Sequence, residues 1–272
     1  MTAVDRWATE LGRWAIPPEI VAAAPESPYG FPTALFRTRG ERAGAADVTP
    51  TTERGLEALL EGGTVLDVGC GGGATSLPLA GRAGSLVGVD AQEDMLEGFR
   101  ANARAAGVRA TTVHGRWPEA ADEIEPADVA IAGHVLYNVP DLGPFVRASA
   151  RCAHRRVVFE LTDRHPLHWM NDLWVRFHDL ARPEGPSAED AREAIAELGF
   201  RPSIERWAAP PRAGGFEDRA GAVALLRRRL CLSPDRDGEL EEALGPRLQR
   251  RDGLWSAGPV EDQPLATVWF DP

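Results

Sequence analysis

The residues best suited to chemistry form a glycine-rich stretch with two acids placed around it. Residues 65–73 read VLDVGCGGG. Asp67 comes two positions before Gly69, and Gly71 comes two positions after it. Glycine tolerates positive φ and, having no Cβ, lets a ligand lie against the backbone. Asp90 follows about 20 residues later, where a carboxylate can accept hydrogen bonds from ribose hydroxyls. The stretch therefore predicts a site for a nucleoside-containing cofactor.

Two classes of cofactor fit this pattern. The spacing Gly69-x-Gly71-x-x-Ala74, with Asp90 downstream, matches the dinucleotide fingerprint and would indicate an NAD(P)-dependent oxidoreductase. Asp67 favours a different cofactor, because a carboxylate beside the loop would oppose a pyrophosphate but suits a ligand with ammonium and sulfonium groups. Asp90 does not discriminate, since both cofactors carry a ribose.

Strands and helices alternate around the glycine stretch, which itself runs into a helix-compatible segment at residues 74–80. The hydrophobic pattern predicts strands at residues 64–68, 85–89, 110–113, 127–132, 156–161, 202–207 and 265–270. It predicts helices at residues 4–14, 19–24, 50–60, 92–106, 142–152, 187–198 and 216–230, with a shorter one near Glu239. This alternation indicates a mostly parallel sheet covered on both faces, with the ligand at the carboxyl edge of the strands.

Four sequence blocks together resemble the class I S-adenosylmethionine-dependent methyltransferases. They are the glycine stretch at residues 65–73, LVGVD at 86–90, VHGRW at 113–117 and DVAIAGHVLYNV at 128–139. The resemblance covers about residues 46–207 and the closing strand. It implies a doubly wound, seven-stranded, mostly parallel α/β sheet of the Rossmann-like methyltransferase type, in which the last strand runs antiparallel.

We divide the chain on this basis into four parts. Residues 1–45 are expected to form a helical N-terminal cap, and residues 46–207 the S-adenosylmethionine-binding core. Residues 208–264 would be a helical insertion and a possible substrate cap. Residues 265–272 would return to the core as the closing strand.

The resemblance implies methyl transfer from S-adenosylmethionine to an oxygen or nitrogen of a small molecule by in-line displacement, with S-adenosylhomocysteine as product. A non-catalytic protein that binds S-adenosylmethionine remains an alternative. The positions expected to bind the cofactor are Asp67, Gly69, Cys70, Gly71, Asp90, Ala91, Met95, Arg116, Trp117 and His134. One departure stands out: the third block has Gly115-Arg116 where the family often has Gly-Asp, so the usual acid near the adenine amino group is absent.

Candidates for the chemistry on the acceptor lie after the fourth and fifth strands. His134 ends the fourth strand, where histidine could act as a general base or orient the substrate. A backbone contact to the cofactor is the competing interpretation of His134. Tyr137 shares its edge, and His168 lies in an aromatic-rich segment further on. Glu160 and Asp163 flank the fifth strand and are expected to contact a polar or cationic substrate.

The pair His165 and His168, with Asp172 beyond them, could suggest a metal. We predict none, because Pro166 is expected to begin any helix here and leaves His165 off the shared face.

Composition excludes several partners. The net charge of −11 argues against nucleic acid, and we interpret the arginines at 227–229 as a solvated helix face. No apolar run approaches the roughly 18 residues that span a bilayer. The three cysteines fit reduced thiols. We therefore expect a cytoplasmic monomer or homodimer that acts on a small molecule.

Overall fold

The computed structural model describes residues 1–29, 48–208, 215–251, 253–259 and 263–272, so the predicted boundary at residue 45 lies outside the described residues. In chain order the helices are α1 (Ala3–Gly12), α2 (Pro18–Ala23), α3 (Pro50–Ala58), α4 (Glu93–Ala105), α5 (Leu142–Arg151), α6 (Asn171–His178), α7 (Ala188–Glu197), α8 (Arg219–Arg229) and α9 (Asp237–Leu244). The strands are β1 (Thr64–Val68), β2 (Ser85–Asp90), β3 (Arg109–His114), β4 (Ala127–Gly133), β5 (Ala153–Thr162), β6 (Ser203–Trp207), β7 (Leu248–Arg251), β8 (Leu254–Ala257) and β9 (Leu265–Phe270).

Seven strands form one sheet in the order β3-β2-β1-β4-β5-β9-β6. Strands β1 to β5 pair in parallel, and β9 lies antiparallel between β5 and β6. The predicted doubly wound sheet and its antiparallel last strand are both confirmed. The strand order reverses between β1 and β4, and ligands of such sheets bind in the crevice beyond the carboxyl ends at that point. The glycines of the glycine stretch, which begin at Gly69, follow β1, and His134 follows β4, so both lie at this crevice.

Helices cover both faces of the sheet, because alternate residues of each strand point to opposite sides. In β4, Val129 and Ile131 belong to the apolar cluster beneath α3 and α4, whereas Ala130 and Ala132 belong to the cluster beneath α1, α5 and α7. Phe99 of α4 is fully buried in the first cluster. Helix α1 contacts α7 and α5, so it forms part of the second helical layer. The role of residues 1–45 as a cap stays a prediction.

The segment after the glycine stretch differs from the predicted helix. Residues 74–80 form turns and a short 3-10 helix, Leu77–Leu79. Pro78 supplies the reason, because it has no N–H to donate and its ring opposes the carbonyl four residues earlier.

A third apolar cluster forms what we call the accessory lobe, made of residues 16–24, 167–180, 216–251 and 253–257. It includes the buried side chains Trp174, Leu226 and Leu240. The predicted insertion is therefore only partly helical: β7 and β8 form a hairpin that the sequence pattern did not reveal. Within the described residues, no helix is long and apolar enough to cross a membrane.

Candidate functional site

The glycine stretch turns sharply after β1 because three of its glycines adopt positive φ. Gly69, Gly71 and Gly73 have φ values of 67°, 50° and 86°. A Cβ on Gly69 would lie 2.6 Å from Cγ2 of Val135, so this glycine allows the loop to approach the turn after β4. A Cβ on Gly71 would meet nothing within 4 Å. Gly71 thus faces open space, which fits a loop that holds a ligand against its backbone.

Asp90, at the end of β2, is tied to this loop. Its carboxylate accepts the N–H of Gly71 at Oδ2 and the N–H of Gln92 at Oδ1, each at 3.0 Å. An ionised carboxylate has about four acceptor positions, so two remain after these bonds. Because Asp90 is only half-buried, they are available to hydroxyl donors such as those of a ribose.

Asp67 lies under the loop and is 1% exposed. The Ser76 hydroxyl donates to its Oδ2. Burial raises the pKa of Asp67 to about 7; the Ser76 bond opposes this rise, while the charges of Asp90 and Glu160 add to it. The three acids together form a site that favours a cationic ligand, because a positive charge would stabilise the ionised form of each.

His134 follows β4 in a strained backbone conformation and faces an acid. Its φ is 60°, a region that costs a residue with a Cβ roughly 1–2 kcal/mol. Its N–H donates to the carbonyl of Glu160 at 2.7 Å, and its Nε2 lies 3.3 Å from Oε1 of Glu160. A carboxylate can only accept, so Nε2 carries a hydrogen, and in the neutral form of the ring Nδ1 keeps its lone pair. The neutral imidazole, 47% exposed, can therefore accept a proton at the crevice.

Glu160 is a candidate functional residue whose contact with His134 the sequence pattern did not reveal. Its side chain is 13% exposed. Burial acts to raise its pKa, but the hydrogen bonds and charge contributed by His134 and Thr51 outweigh burial and hold the pKa below its usual value. The signal available in the sequence was an acid near the carboxyl end of the predicted fifth strand; its pairing in register with Gly133 is seen only in the structure. Asp163, which we grouped with it, instead pairs with Arg206 at 2.8 Å.

Tyr137 lies in the core beside α1. It is 6% exposed, its hydroxyl donates to the carbonyl of Thr162 at 2.7 Å, and its ring stacks on Trp7 with centroids 5.6 Å apart. Burial raises the pKa of Tyr137 well above its usual value. The geometry favours packing over the catalytic role that we predicted, because the one proton of the hydroxyl is already engaged.

His168 is half-buried beside His165. Its backbone N–H donates to the carbonyl of His165 at 3.0 Å, and among the described residues no hydrogen bond or ion pair joins it to His134. The predicted helix start at Pro166 is wrong: a 3-10 turn begins at His168 and α6 at Asn171. No group of three or more His, Cys, Asp or Glu side chains in the described segments is arranged to hold a metal.

Three further predicted cofactor contacts lie close to the loop and β2. Cys70 is buried, burial raises the pKa of its thiol, and its N–H donates to the carbonyl of Val89 at 3.0 Å. Ala91 is exposed directly after β2, and Met95 is 5% exposed in the first turn of α4. Their contacts to a cofactor stay predictions.

The remaining two residues that we predicted to contact the cofactor, Arg116 and Trp117, follow β3. Arg116 is exposed, whereas the indole of Trp117 turns toward α5 and donates to the carbonyl of Phe145 at 3.2 Å. The Trp117 side chain is therefore engaged with the core. A role for either residue beside a nucleobase stays a prediction.

Comparison with known proteins places this geometry in context. A methyltransferase domain family model matches residues 65–155. A ubiquinone biosynthesis O-methyltransferase of Rhizobium etli is 36% identical over 172 residues, covering 54% of this chain and 68% of the relative. Its counterpart from Azorhizobium caulinodans is 41% identical over 88 residues, which is 32% of this chain and only 35% of that relative's length.

The fold also has solved counterparts. The YcgJ protein of Bacillus subtilis superimposes with a TM-score of 0.51 at 15% identity, covering 81% of this chain and 97% of that one. At this identity the likeness concerns the fold alone.

Proposed function

Because the chain belongs to the class I S-adenosylmethionine-dependent methyltransferases, we propose that it transfers the cofactor's methyl group to a hydroxyl oxygen of a small molecule. The observation that carries this proposal is the pairing of His134 with Glu160 at the crevice. The pairing supplies a base beside the glycine stretch, where the family binds its cofactor.

Several residues of this chain fit that cofactor. The backbone at Gly71 faces open space in which the cofactor can lie. Asp90 has acceptor positions for ribose hydroxyls. The acids Asp67 and Glu160 favour a ligand with a positive charge. When bound, S-adenosylmethionine supplies a methyl group on a sulfonium, whose leaving group is already good. The protein is then left with two tasks, which are to hold the acceptor on axis and to remove its proton.

The second task falls to His134. Nδ1 accepts the proton of the acceptor hydroxyl while Nε2–H remains bonded to Glu160. The carboxylate of Glu160 stabilises the imidazolium that results and keeps the ring oriented, as an acid behind a histidine base does in hydrolases. The imidazole returns its proton to solvent, to which it is partly exposed.

A base of this kind favours oxygen over nitrogen as the acceptor atom. A neutral amine already carries a nucleophilic lone pair, whereas a hydroxyl becomes a strong nucleophile only as it loses its proton. The name of the relatives, O-methyltransferase, supports the same choice. It also supports a small-molecule acceptor.

The test is a transfer assay with radiolabelled S-adenosylmethionine and a panel of hydroxylated metabolites, followed by the variant His134→Gln. Glutamine can still donate to Glu160 but cannot accept the proton, so we expect kcat to fall about 100-fold. Cofactor affinity, measured by calorimetry with S-adenosylhomocysteine, should stay within about twofold. His154→Gln is the matched control, because His154 is exposed at the start of β5, the opposite end of the strand from the crevice.

Three results would contradict the proposal. Binding of NAD without S-adenosylhomocysteine would indicate an oxidoreductase. Tight binding of S-adenosylhomocysteine with no transfer to any acceptor in the panel would indicate a cofactor-binding protein. Full activity of His134→Gln would show that His134 is not the base.

A further inference from the structure

A line of buried polar side chains lies behind Glu160 on the α3 side of the sheet. Glu160 of β5 pairs in register with Thr267 of β9. Thr51, in the first turn of α3, has its Oγ1 2.7 Å from Oγ1 of Thr267, and its hydroxyl helps to lower the pKa of Glu160. Thr51 and Thr267 are 1% and 0% exposed. Two hydroxyls shielded from water thus connect the acid of the site to the closing strand.

The direction of these hydrogen bonds follows from what each group can do. Nε1 of Trp207, on β6, lies 3.0 Å from Oγ1 of Thr267, and an indole N–H can only donate. At the other end, the carboxylate of Glu160 can only accept, and a hydroxyl lowers the pKa of a carboxyl group by donating to it, so the single proton of Thr51 is directed to Glu160. Thr267 must then donate its own proton to Thr51. Every hydrogen bond in the line runs from Trp207 toward Glu160.

We propose that Thr51 and Thr267 are positioning residues that hold the carboxylate of Glu160 in place for His134. This inference rests on the proposed function, in which His134 is the base. His134 faces Glu160 from the end of β4, and the paired hydroxyls of Thr51 and Thr267 lie beside it on the α3 side, so donors face the carboxylate from two elements. A buried carboxylate with these donors keeps one orientation and stays ionised, and it therefore keeps Nδ1 of His134 free to accept a proton.

The test compares Thr51→Val with Thr51→Ser and Thr52→Val. Valine has nearly the shape of threonine without its hydroxyl, and serine keeps the hydroxyl. Thr52 is the matched control: it is the next residue of α3, it is 2% exposed, and its hydroxyl bonds Thr49 at 3.1 Å. Thr52→Val therefore reproduces the loss of a buried hydroxyl in the same turn without touching Glu160.

We expect Thr51→Val to lower kcat about tenfold, the factor that one hydrogen bond to a charged group contributes. The KM for S-adenosylmethionine should stay within about twofold, because Glu160 acts on the base. Thr51→Ser should restore most of kcat, and Thr52→Val should leave it unchanged. Nitrogen-15 spectra of the imidazoles should show His134 mainly protonated at Nε2 in the wild type and as a tautomer mixture in Thr51→Val.

Equal kcat values for Thr51→Val and Thr52→Val would overturn the inference, as would an unchanged tautomer of His134 in Thr51→Val. Failure of the underlying function is distinguishable from these results. If His134→Gln is fully active, the base itself is refuted. If His134→Gln is inactive while Thr51→Val is normal, only the positioning role is refuted.

Discussion

The imidazole of His165 lies flat against the indole of Trp14, with ring centroids 3.6 Å apart and planes inclined by 14°. Both rings are buried, at 5% and 8% exposed. Burial, together with the positive charges of Arg182 and His168, lowers the pKa of His165 to about 3. The stack joins the chain after α1 to the segment after β5, and it requires a neutral histidine.

This stack should make folding stability depend on pH. The unfolded chain binds a proton at His165 near pH 6.5, whereas the folded protein does so only near pH 3. The contribution of His165 to the free energy of unfolding is therefore fully present above pH 6.5 and is lost as the pH falls through the window between these values. Between pH 6.5 and 5.5 we expect a loss of about 1 kcal/mol. The free energy of unfolding of His165→Gln, measured with urea at each pH, should not show this loss. If its dependence on pH ran parallel to that of the wild type, the prediction would be contradicted.

Asp67 should produce the opposite dependence in the ligand-free protein. Its pKa of about 7 in the folded state lies above the 3.8 of an ordinary aspartate. The folded protein thus holds the proton more tightly, so the contribution of Asp67 to stability is fully present below pH 3.8 and is lost as the pH rises through 7. Asp67→Asn keeps an acceptor for Ser76 but cannot ionise. In denaturant titrations, the free energy of unfolding of the variant minus that of the wild type should increase from pH 4 to pH 7. If this difference did not change with pH, Asp67 would not be buried as described.

Asp90 should contribute directly to cofactor affinity. Replacement by alanine removes the acceptors for ribose hydroxyls and the anchor of the Gly71 N–H. We expect calorimetry to show weaker binding of S-adenosylhomocysteine by about 1–3 kcal/mol. Asp122→Ala, at an aspartate whose side chain is 90% exposed, is the control and should bind normally. An unchanged affinity for Asp90→Ala would mean that the ribose lies elsewhere.

Gly71 and Gly62 form a matched pair for the glycine stretch. Both have positive φ, 50° and 70°, and a Cβ on either would meet nothing within 4 Å. Alanine at either position should cost roughly 1–2 kcal/mol of folding stability through backbone strain. Only Gly71→Ala should also weaken S-adenosylhomocysteine binding, because its Cβ would enter the space that faces the cofactor. Equal affinities for the two variants, measured by calorimetry, would contradict this placement.

Elements with strong local signals were predictable. The apolar strand β1 and the amphipathic helix α4 each follow from side chains near one another in the chain. The errors also have local causes. Pro78 prevents the helix expected at residues 74–80. Strand β7, LQRR, has too little apolar alternation to distinguish it from a loop, and only its pairing with β8 reveals it.

The sequence by itself indicated the cofactor class and the fold, because Asp67 beside the glycine stretch favours a cationic cofactor and the four blocks that carry the family resemblance are each short and local. Only the tertiary structure decided which of the three candidates, His134, Tyr137 and His168, faces an acid. His134 meets Glu160 because β4 and β5 pair in a register that no local pattern encodes. The hydrogen-bonded side chains behind Glu160 depend on the tertiary structure even more. Thr51 and Thr267 are 216 residues apart and meet only when β9 inserts between β5 and β6.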